Sequence, residues 1–285
     1  MPRRSSRPFR VAFQGELGAF SHIAANQLLG ANVEVLPCQQ FEQVFRSVVD
    51  KKAPAAIIPI ENTLHGSVHE NYDHLLHFNL PIIGETSVRI VHNLITLPGV
   101  RSRNIRRVFS HPVALNQCLD FFAANPQMEK VPYYDTAGSV KMLKEDELTY
   151  SAAIASQLAA DLYGCRILKR SIEDDHRNFT RFFLLGRPGK KVMLKLPVKR
   201  GYKTSLVFTT RNVPGALFRA LSAFALRDVS LSKIESRPLR GKPWEYLFYL
   251  DLLGRENDPN VRNALTHLRE LADFHRVLGS YPRSA

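Results

Sequence analysis

Cysteine is scarce in this chain. Cys38, Cys118 and Cys165 are the three among 285 residues, scattered, odd in number and without a C-x-x-C pair. That excludes a disulfide framework and a zinc-finger spacing, and it fits a reducing compartment, so a cytoplasmic location is expected. Long apolar runs are missing too. None nears the roughly 18 uncharged residues of a membrane span, and no membrane partner is expected. The opening "MPRRSSRPFR" has arginines but no apolar h-region, which excludes a secretory signal there. Acidic residues are absent from two stretches. The first ten residues carry Arg3, Arg4, Arg7 and Arg10 unopposed, and "RPGKKVMLKLPVKR" at 187–200 carries six bases unopposed; together they hold ten of the net charge of +13. The basic excess thus belongs to a tail and a linker rather than to a folded face. With no RNP-type motif, a nucleic-acid partner is not expected. G-x-G-x-x-G, H-E-x-x-H and G-x-S-x-G are also absent, which removes the usual dinucleotide, metalloprotease and serine-hydrolase signatures.

What is present is alternation. "FRVAFQGELGAFSHIAANQLLG" (9–30) reads as strand, glycine turn and helix, "VEVLPC" as a strand, "FEQVFRSVVDKK" as an amphipathic helix and "AAIIPIENT" as an apolar strand. "GSVHENYDHLLHF" reads as a helix opened by Gly66 and Ser67, and an extended crossover follows near 84–97. The rhythm then restarts: "RRVFSH" strand, "PVALNQCLDFFAANP" one helix, "VPYYDT" strand, "AGSVKMLKED" and "YSAAIASQLAADLYG" helices, then extended chain through "NFTRFFLLG". Alternating strands and helices predict an α/β fold with mainly parallel sheet, in two lobes around a cleft. After the basic linker the order becomes βαββαβ, the ferredoxin-like arrangement, with Pro214 near the first turn of "VPGALFRALSAFALRD".

Polar residues gather where the strands of the first region end, the place where α/β sheets bind ligands. Gly15, Gly18 and Ser21 suit an anion at a helix start, or simply a tight turn. Glu61, Asn62 and Thr63 sit at a strand mouth, and Ser110, His111 and Gln117 at another; helix capping and a solvent-facing glutamine explain each equally well alone. His65 and His69 stand four apart, a spacing that can share a metal on a helix. Without H-E-x-x-H a histidine-rich surface helix is the simpler reading, and no metal is expected. In "NFTRF", Thr180 and Arg181 sit side by side in an otherwise apolar strand, and a buried cation there needs a partner.

Taken together, "GELGAFS", "PIENTLHGSV", "SHPVALNQC", "YYDTAGS", "NFTRF", "PGAL" and "ESRP" in this order resemble prephenate dehydratase from about Phe9 to Tyr281, the Thr180-Arg181-Phe182 triplet and the Glu235–Pro238 tetrad being the most specific parts. The resemblance implies two α/β lobes like those of type 2 periplasmic binding proteins (9–186), preceded by a basic tail (1–8). A basic linker (187–200) then leads to a C-terminal ACT domain (201–281), a module that binds amino acids. With about eight residues before the first strand, a monofunctional enzyme is expected. By resemblance Thr180 is the key catalytic residue, with Asn62, Ser110 and Gln117 lining the site and Glu61, Thr63, Arg181, Phe182 and Ser21 belonging to the substrate-binding segments. Two positions depart from the family pattern: Thr63 stands where serine is usual, and Ala19 where threonine is frequent.

The implied reaction is a hydro-lyase step, prephenate to phenylpyruvate, CO2 and water. Aromatisation drives it, so no cofactor is expected. Thr180 would hydrogen-bond the departing hydroxyl rather than protonate it fully, with Glu61 and His111 as stronger acids in reserve. The side-chain carboxylate calls for cationic or N–H donors. The ring carboxylate departs as neutral CO2 and suits neutral amides such as Asn62 and Gln117. Arg181 then either serves the anionic ligand or braces Thr180 from the opposite face of the strand. The resemblance further implies L-phenylalanine as effector, its carboxylate at Gly215, Ala216 and Leu217 with Glu235, Ser236, Arg237 and Pro238 closing over it, in a homodimer or homotetramer. Arogenate dehydratase, a non-catalytic amino-acid sensor and a nucleic-acid-bound regulator stand as alternatives.

Overall fold

The computed structural model describes residues 9–189, 201–239, 241–242 and 244–284; the basic tail and nearly all of the basic linker lie outside the described residues. The chain divides into two compact units, one of Met1–Phe78 with Thr86–Phe183, the other of Asn79–Glu85 with Leu184–Ala285.

In chain order the first lobe contains β1 (Arg10–Gln14), α1 (Phe20–Leu29), β2 (Glu34–Cys38), α2 (Phe41–Val49), β3 (Ala55–Asn62), β4 (Gly66–Ser67), α3 (His69–Phe78) and β5 (Ile82–Arg89). The second lobe contains β6 (Asn93–Thr96), β7 (Arg107–Ser110), α4 (Pro112–Asn116), α5 (Leu119–Ala123), β8 (Glu129–Pro132), α6 (Thr136–Glu145), β9 (Ser151–Ala155), α7 (Gln157–Leu162) and β10 (Arg166–Lys169). The return strand β11 (Phe179–Leu185) rejoins the first sheet, whose order is β2-β1-β3-β11-β5 with β4 paired on β3; the second sheet runs β10-β6-β9-β7-β8. Parallel pairs join β1 to β2 and β3, and β7 to β8 and β9, while β6 is antiparallel to both β9 and β10. Two segments thus pass between the lobes: the crossover after β5 and the return into β11. Val11, Phe13, Val44, Phe45, Ile57 and Ile60 are fully buried in the first lobe, and Leu94, Val108, Phe122 and Ile154 in the second form its core. At about 1.5–3 kcal/mol for each large side chain, this burial is what fixes the strand ends in space.

Three elements differ from the sequence reading. Residues 151–155 form the strand β9, not part of a helix: alanine favours helix, but every residue here is buried in the middle of a sheet, where small side chains let elements pack close on both faces. The helix expected over "PVALNQCLDFFAANP" is two. The Asp174 carboxylate accepts the Leu119 and Asp120 N–H groups and starts a second helix, while the Asp174 N–H binds the Gln117 carbonyl. Gly66 and Ser67 pair with Asn62 and Glu61 as a hairpin rather than opening α3, which starts at His69. His65 therefore lies outside α3 and does not share a helical face with His69. Among the described residues no three His, Cys, Asp or Glu side chains converge as a metal site, and no helix is long and apolar enough to cross a membrane.

In the second unit β12 (Tyr202–Thr209), α8 (Ala216–Ala225), β13 (Leu231–Pro238), β14 (Tyr246–Leu253), α9 (Pro259–Leu271) and β15 (Phe274–Pro282) give the βαββαβ order, with an antiparallel sheet β13-β14-β12-β15 and a core of Leu206, Phe208, Phe224, Leu250 and Leu268. Asn79–Glu85 belongs to this unit through a buried pair: Lys203 Nζ lies 2.9 Å from the Glu85 carboxylate, which also accepts the Ser284 N–H.

Candidate active site

A cavity of about 430 Å³ opens between the strand ends of the two lobes. It is a small-molecule volume. The first turn of α1 contributes Ala19, Phe20 and Ser21, β3 and its hairpin contribute Asn62 and His65, the crossover contributes Ile90 and His92, and the second lobe contributes His111, Gln117, Tyr134 and Asp135. Thr180 and Phe182 reach it from β11.

The strand period explains the pairing that made "NFTRF" puzzling. Thr180 and Phe182 face the cavity, so Arg181 faces away. Its Nη1 meets Glu61 Oε1 at 2.9 Å, and its guanidinium stacks 4.8 Å from the Phe183 ring centroid. The cation has a protein partner and braces the strand from behind. Neither Arg181 nor Glu61 lines the cavity, which removes Glu61 as the reserve acid.

Asn62 is held by an Asx turn: its Oδ1 accepts the N–H groups of Leu64 at 2.9 Å and His65 at 3.0 Å. Its Nδ2 then points the other way, 2.9 Å from Thr180 Oγ1, 2.7 Å from Asn178 Oδ1 and 3.1 Å from the Phe179 carbonyl. Thr63 ties the same turn to β11, donating to the Arg177 carbonyl and accepting from the Phe179 N–H; it serves the scaffold and does not line the cavity. Because the Thr180 oxygen accepts from Asn62, its own proton is available, and among the described residues nothing takes it.

Gln117 is no solvent-facing residue. It is 8% exposed, and its Oε1 lies 2.8 Å from His92 Nε2 and 3.0 Å from Asn178 Nδ2. Ser110 behaves differently from its expected place in the site: it is fully buried, its hydroxyl donates to the Ile154 carbonyl at 2.6 Å, and it is absent from the cavity wall. It ties β7 to β9 behind the site. Burial lowers the pKa of His92, and burial together with nearby His65 lowers that of His111. His111 Nδ1 accepts the Val113 N–H and caps α4. Asp135 caps α6 through the Gly138 N–H; burial raises its pKa against those backbone bonds.

Gly18 answers for the "GELGAFS" glycines. Its φ is +92°, and a Cβ there would fall 2.6 Å from the Ala159 Cα, so the requirement is close approach to the second lobe. Tyr134 and Lys141 of that lobe both reach Glu16 of the same loop, at 2.9 and 3.2 Å.

No lysine or arginine lines the cavity among the described residues, so the cationic anchor expected for a substrate carboxylate is not on its wall. The donors there are amides, hydroxyls, imidazoles and the uncapped first turn of α1. His92, Asn178 and Tyr134 were not singled out from sequence. His92 sits in a plain extended stretch, and only the buried position opposite Gln117 marks it.

Residues 11–190 match the family model for prephenate dehydratase, and residues 204–270 match the ACT domain model. The chain belongs to the prephenate dehydratase family. It is 43% identical over 286 residues to an Arabidopsis thaliana protein named arogenate dehydratase/prephenate dehydratase 2, chloroplastic, covering 96% of this chain and 72% of that one. A prephenate dehydratase from Arthrobacter aurescens, solved in complex with L-Phe, superposes with a TM-score of 0.85 at 35% identity, covering 96% of this chain and 90% of that one. A structure described as GqqA, a novel type of quorum quenching acylase, superposes at 0.87 with 35% identity, over 96% and 98% of the two chains.

In the ACT region, Gly215 caps α8 in a left-handed conformation (φ 75°), with Ala216 and Leu217 in its first turn. Glu235, Ser236, Arg237 and Pro238 end the edge strand β13.

Proposed function

We propose that the chain catalyses the decarboxylating dehydration of prephenate to phenylpyruvate and is regulated by L-phenylalanine through its ACT domain. The observation that carries this is the Asn62–Thr180 pair: an amide N–H donated to Thr180 Oγ1 leaves that hydroxyl to donate into a cavity without lysine or arginine on its described wall. In the reaction the bond to the ring carboxylate breaks and its electron pair enters the ring. The C–O bond breaks toward oxygen, and the departing hydroxide takes a proton from solvent. Thr180 stabilises the charge growing on that oxygen. Gln117 and the first turn of α1 hold carboxylates with N–H donors. An ion pair on the ring carboxylate would hold the ground state and oppose loss of neutral CO2.

Arogenate differs from prephenate by an amino group in place of the keto group, and relatives carry both names. Product formation from each, with wild type and Thr180→Ala, is the test. Phenylpyruvate from prephenate, lost in the variant, supports the reading. Product from arogenate alone changes the substrate, and silence on both with L-phenylalanine still bound leaves an amino-acid sensor.

The effector is placed at the α8 start and the end of β13, since a helix start offers N–H groups to a carboxylate. Because β13 is an edge strand, a second ACT domain is placed beside it, giving a homodimer or homotetramer. Titration calorimetry with L-phenylalanine and light scattering test both. A cytoplasmic location is proposed on the three free thiols, Cys38, Cys118 and Cys165.

A further inference from the structure

The amide chain beside Thr180 has a direction that can be derived from backbone alone. A backbone N–H only donates. The Leu64 and His65 N–H groups therefore fix the Asn62 oxygen toward themselves and its NH2 toward Thr180 and Asn178. Asn178, fully buried, must meet that NH2 with its oxygen and so turns its own NH2 to Gln117. Gln117 must answer with Oε1, and His92 Nε2, 2.8 Å from the same oxygen, must carry a proton. Nothing in this chain is free to flip without leaving a donor facing a donor, or an acceptor facing an acceptor, in a buried place. Two consequences follow. His92 is the Nε2–H tautomer, its Nδ1 bare, buried and without a hydrogen-bond partner. Both lone pairs of Gln117 Oε1 are filled, so its NH2 is what Gln117 has left to offer the cavity it lines.

We propose that His92 is a positioning residue of the site: with Asn178 it saturates the Gln117 amide oxygen and so aims the Gln117 NH2 at a carboxylate oxygen of the bound dianion. The inference rests on the dehydratase reading for the identity of that anion but not for the direction of the chain. The His92 ring packs edge-on against Phe20 at 5.7 Å, and the His92 backbone N–H donates to Glu173 Oε2 at 2.9 Å. It is thus a fixed donor, and its neutral state suits a site that binds an anion without an ion pair.

The test joins kinetics to a readout independent of activity. His92→Phe keeps the ring and loses the donor, and His92→Gln keeps an N–H near the Nε2 position. For prephenate, His92→Phe is expected to lower kcat/KM about 10- to 100-fold, the scale of one hydrogen bond to a charged group. The loss in His92→Phe/Gln117→Ala should be no greater than in Gln117→Ala alone, and His92→Gln should recover most of it. Multiplicative losses, or no recovery with glutamine, overturn the proposal. In parallel, ¹⁵N NMR of histidine-labelled wild type without substrate should show His92 protonated at Nε2 and bare at Nδ1 at neutral pH. The opposite tautomer, or an imidazolium, overturns it whatever the kinetics give. If wild type turns over neither prephenate nor arogenate while the Nε2–H tautomer is found, the dehydratase reading fails and the chain's direction stands.

Discussion

Replacing Asn62 by aspartate exchanges one NH2 for a carboxylate oxygen and changes almost nothing in shape. The two backbone bonds from Leu64 and His65 survive and become charge-assisted, so the turn and the fold are retained. What changes is the other side. The new oxygen lies where Nδ2 was, 2.9 Å from Thr180 Oγ1 and 2.7 Å from Asn178 Oδ1. Thr180 must then spend its proton on the carboxylate, and the departing hydroxyl loses its donor. Losing one such donor costs about 10²- to 10³-fold in rate, near 2.7–4 kcal/mol. Asn178 must flip to offer NH2, which presents its oxygen to Gln117 Oε1 and disturbs that residue too. Asn62→Asp is therefore expected to lower kcat for phenylpyruvate formation at least 100-fold at neutral pH, with thermal stability close to wild type. Little recovery is expected in mild acid, because a carboxylate that accepts the Leu64 and His65 N–H groups, the Thr180 hydroxyl and a flipped Asn178 takes up its proton only at lower pH than usual. A folded variant with kcat within threefold of wild type would refute the polarity assigned to Asn62, and with it the role of Thr180 as a donor.

Arg181→Lys keeps a charge but loses the planar fork toward Glu61 and the stacking on Phe183, so a loss of about 3- to 10-fold in kcat/KM is expected through a displaced Thr180; full activity would show that the brace is dispensable. Lys203→Met breaks the ion pair with Glu85, which is 4% exposed; breaking such a buried pair costs about 3–5 kcal/mol, read as a lower melting temperature of the ACT-containing unit, and an unchanged melt would refute it. His22, His92 and His111 all have pKa values lowered by burial from the usual 6.5. The unfolded chain binds more protons below that value, so their contribution to stability is complete above pH 6.5 and is lost as pH falls through their folded values. The melting temperature should be flat from pH 7 to 8 and fall below about pH 6.5; a rise on acidification would contradict the burial of these histidines in neutral form.

Sequence order alone carried the family motifs, the βαββαβ region and the location of Asn62, Gln117, Thr180 and Ser21 at a cavity, because strand ends and glycine turns are local signals. It did not carry which face each residue takes. Ser110 and Gln117 stand at similar strand and helix ends, yet one spends its hydroxyl on a neighbouring strand and the other lines the cavity. That difference is set by the pairing of β7 with β9, which the alanine-rich stretch concealed by reading as helix. The split of α4 from α5 was hidden for a related reason: its cause is Asp174, more than fifty residues away in sequence. His92 escaped because nothing local distinguishes a buried donor from an ordinary crossover residue.

The lysines and arginines around this site are spent on carboxylates off the described cavity wall, which carries Asp135 and no cation of that kind. Arg181 is spent on Glu61, Arg89 on Glu173 and Lys141 on Glu16, each pair bracing an element that carries a cavity residue: β11, the crossover and the glycine loop. The histidines on the wall with resolved shifts, His92 and His111, are pushed toward their neutral forms. A substrate that enters with two carboxylates and leaves as one carboxylate and CO2 changes charge in the middle of its reaction. Fixed cations on the wall would favour the state with more charge, which is the substrate. Amide and hydroxyl donors bind the anion more weakly in the ground state and lose less when CO2 departs, while Thr180 gains as charge grows on the leaving oxygen. On this argument, a lysine introduced at Val113, an exposed residue of the same wall, should tighten binding of the dianion and slow its turnover. Faster turnover at saturating prephenate would mean that the absence of lysine and arginine from the wall is incidental.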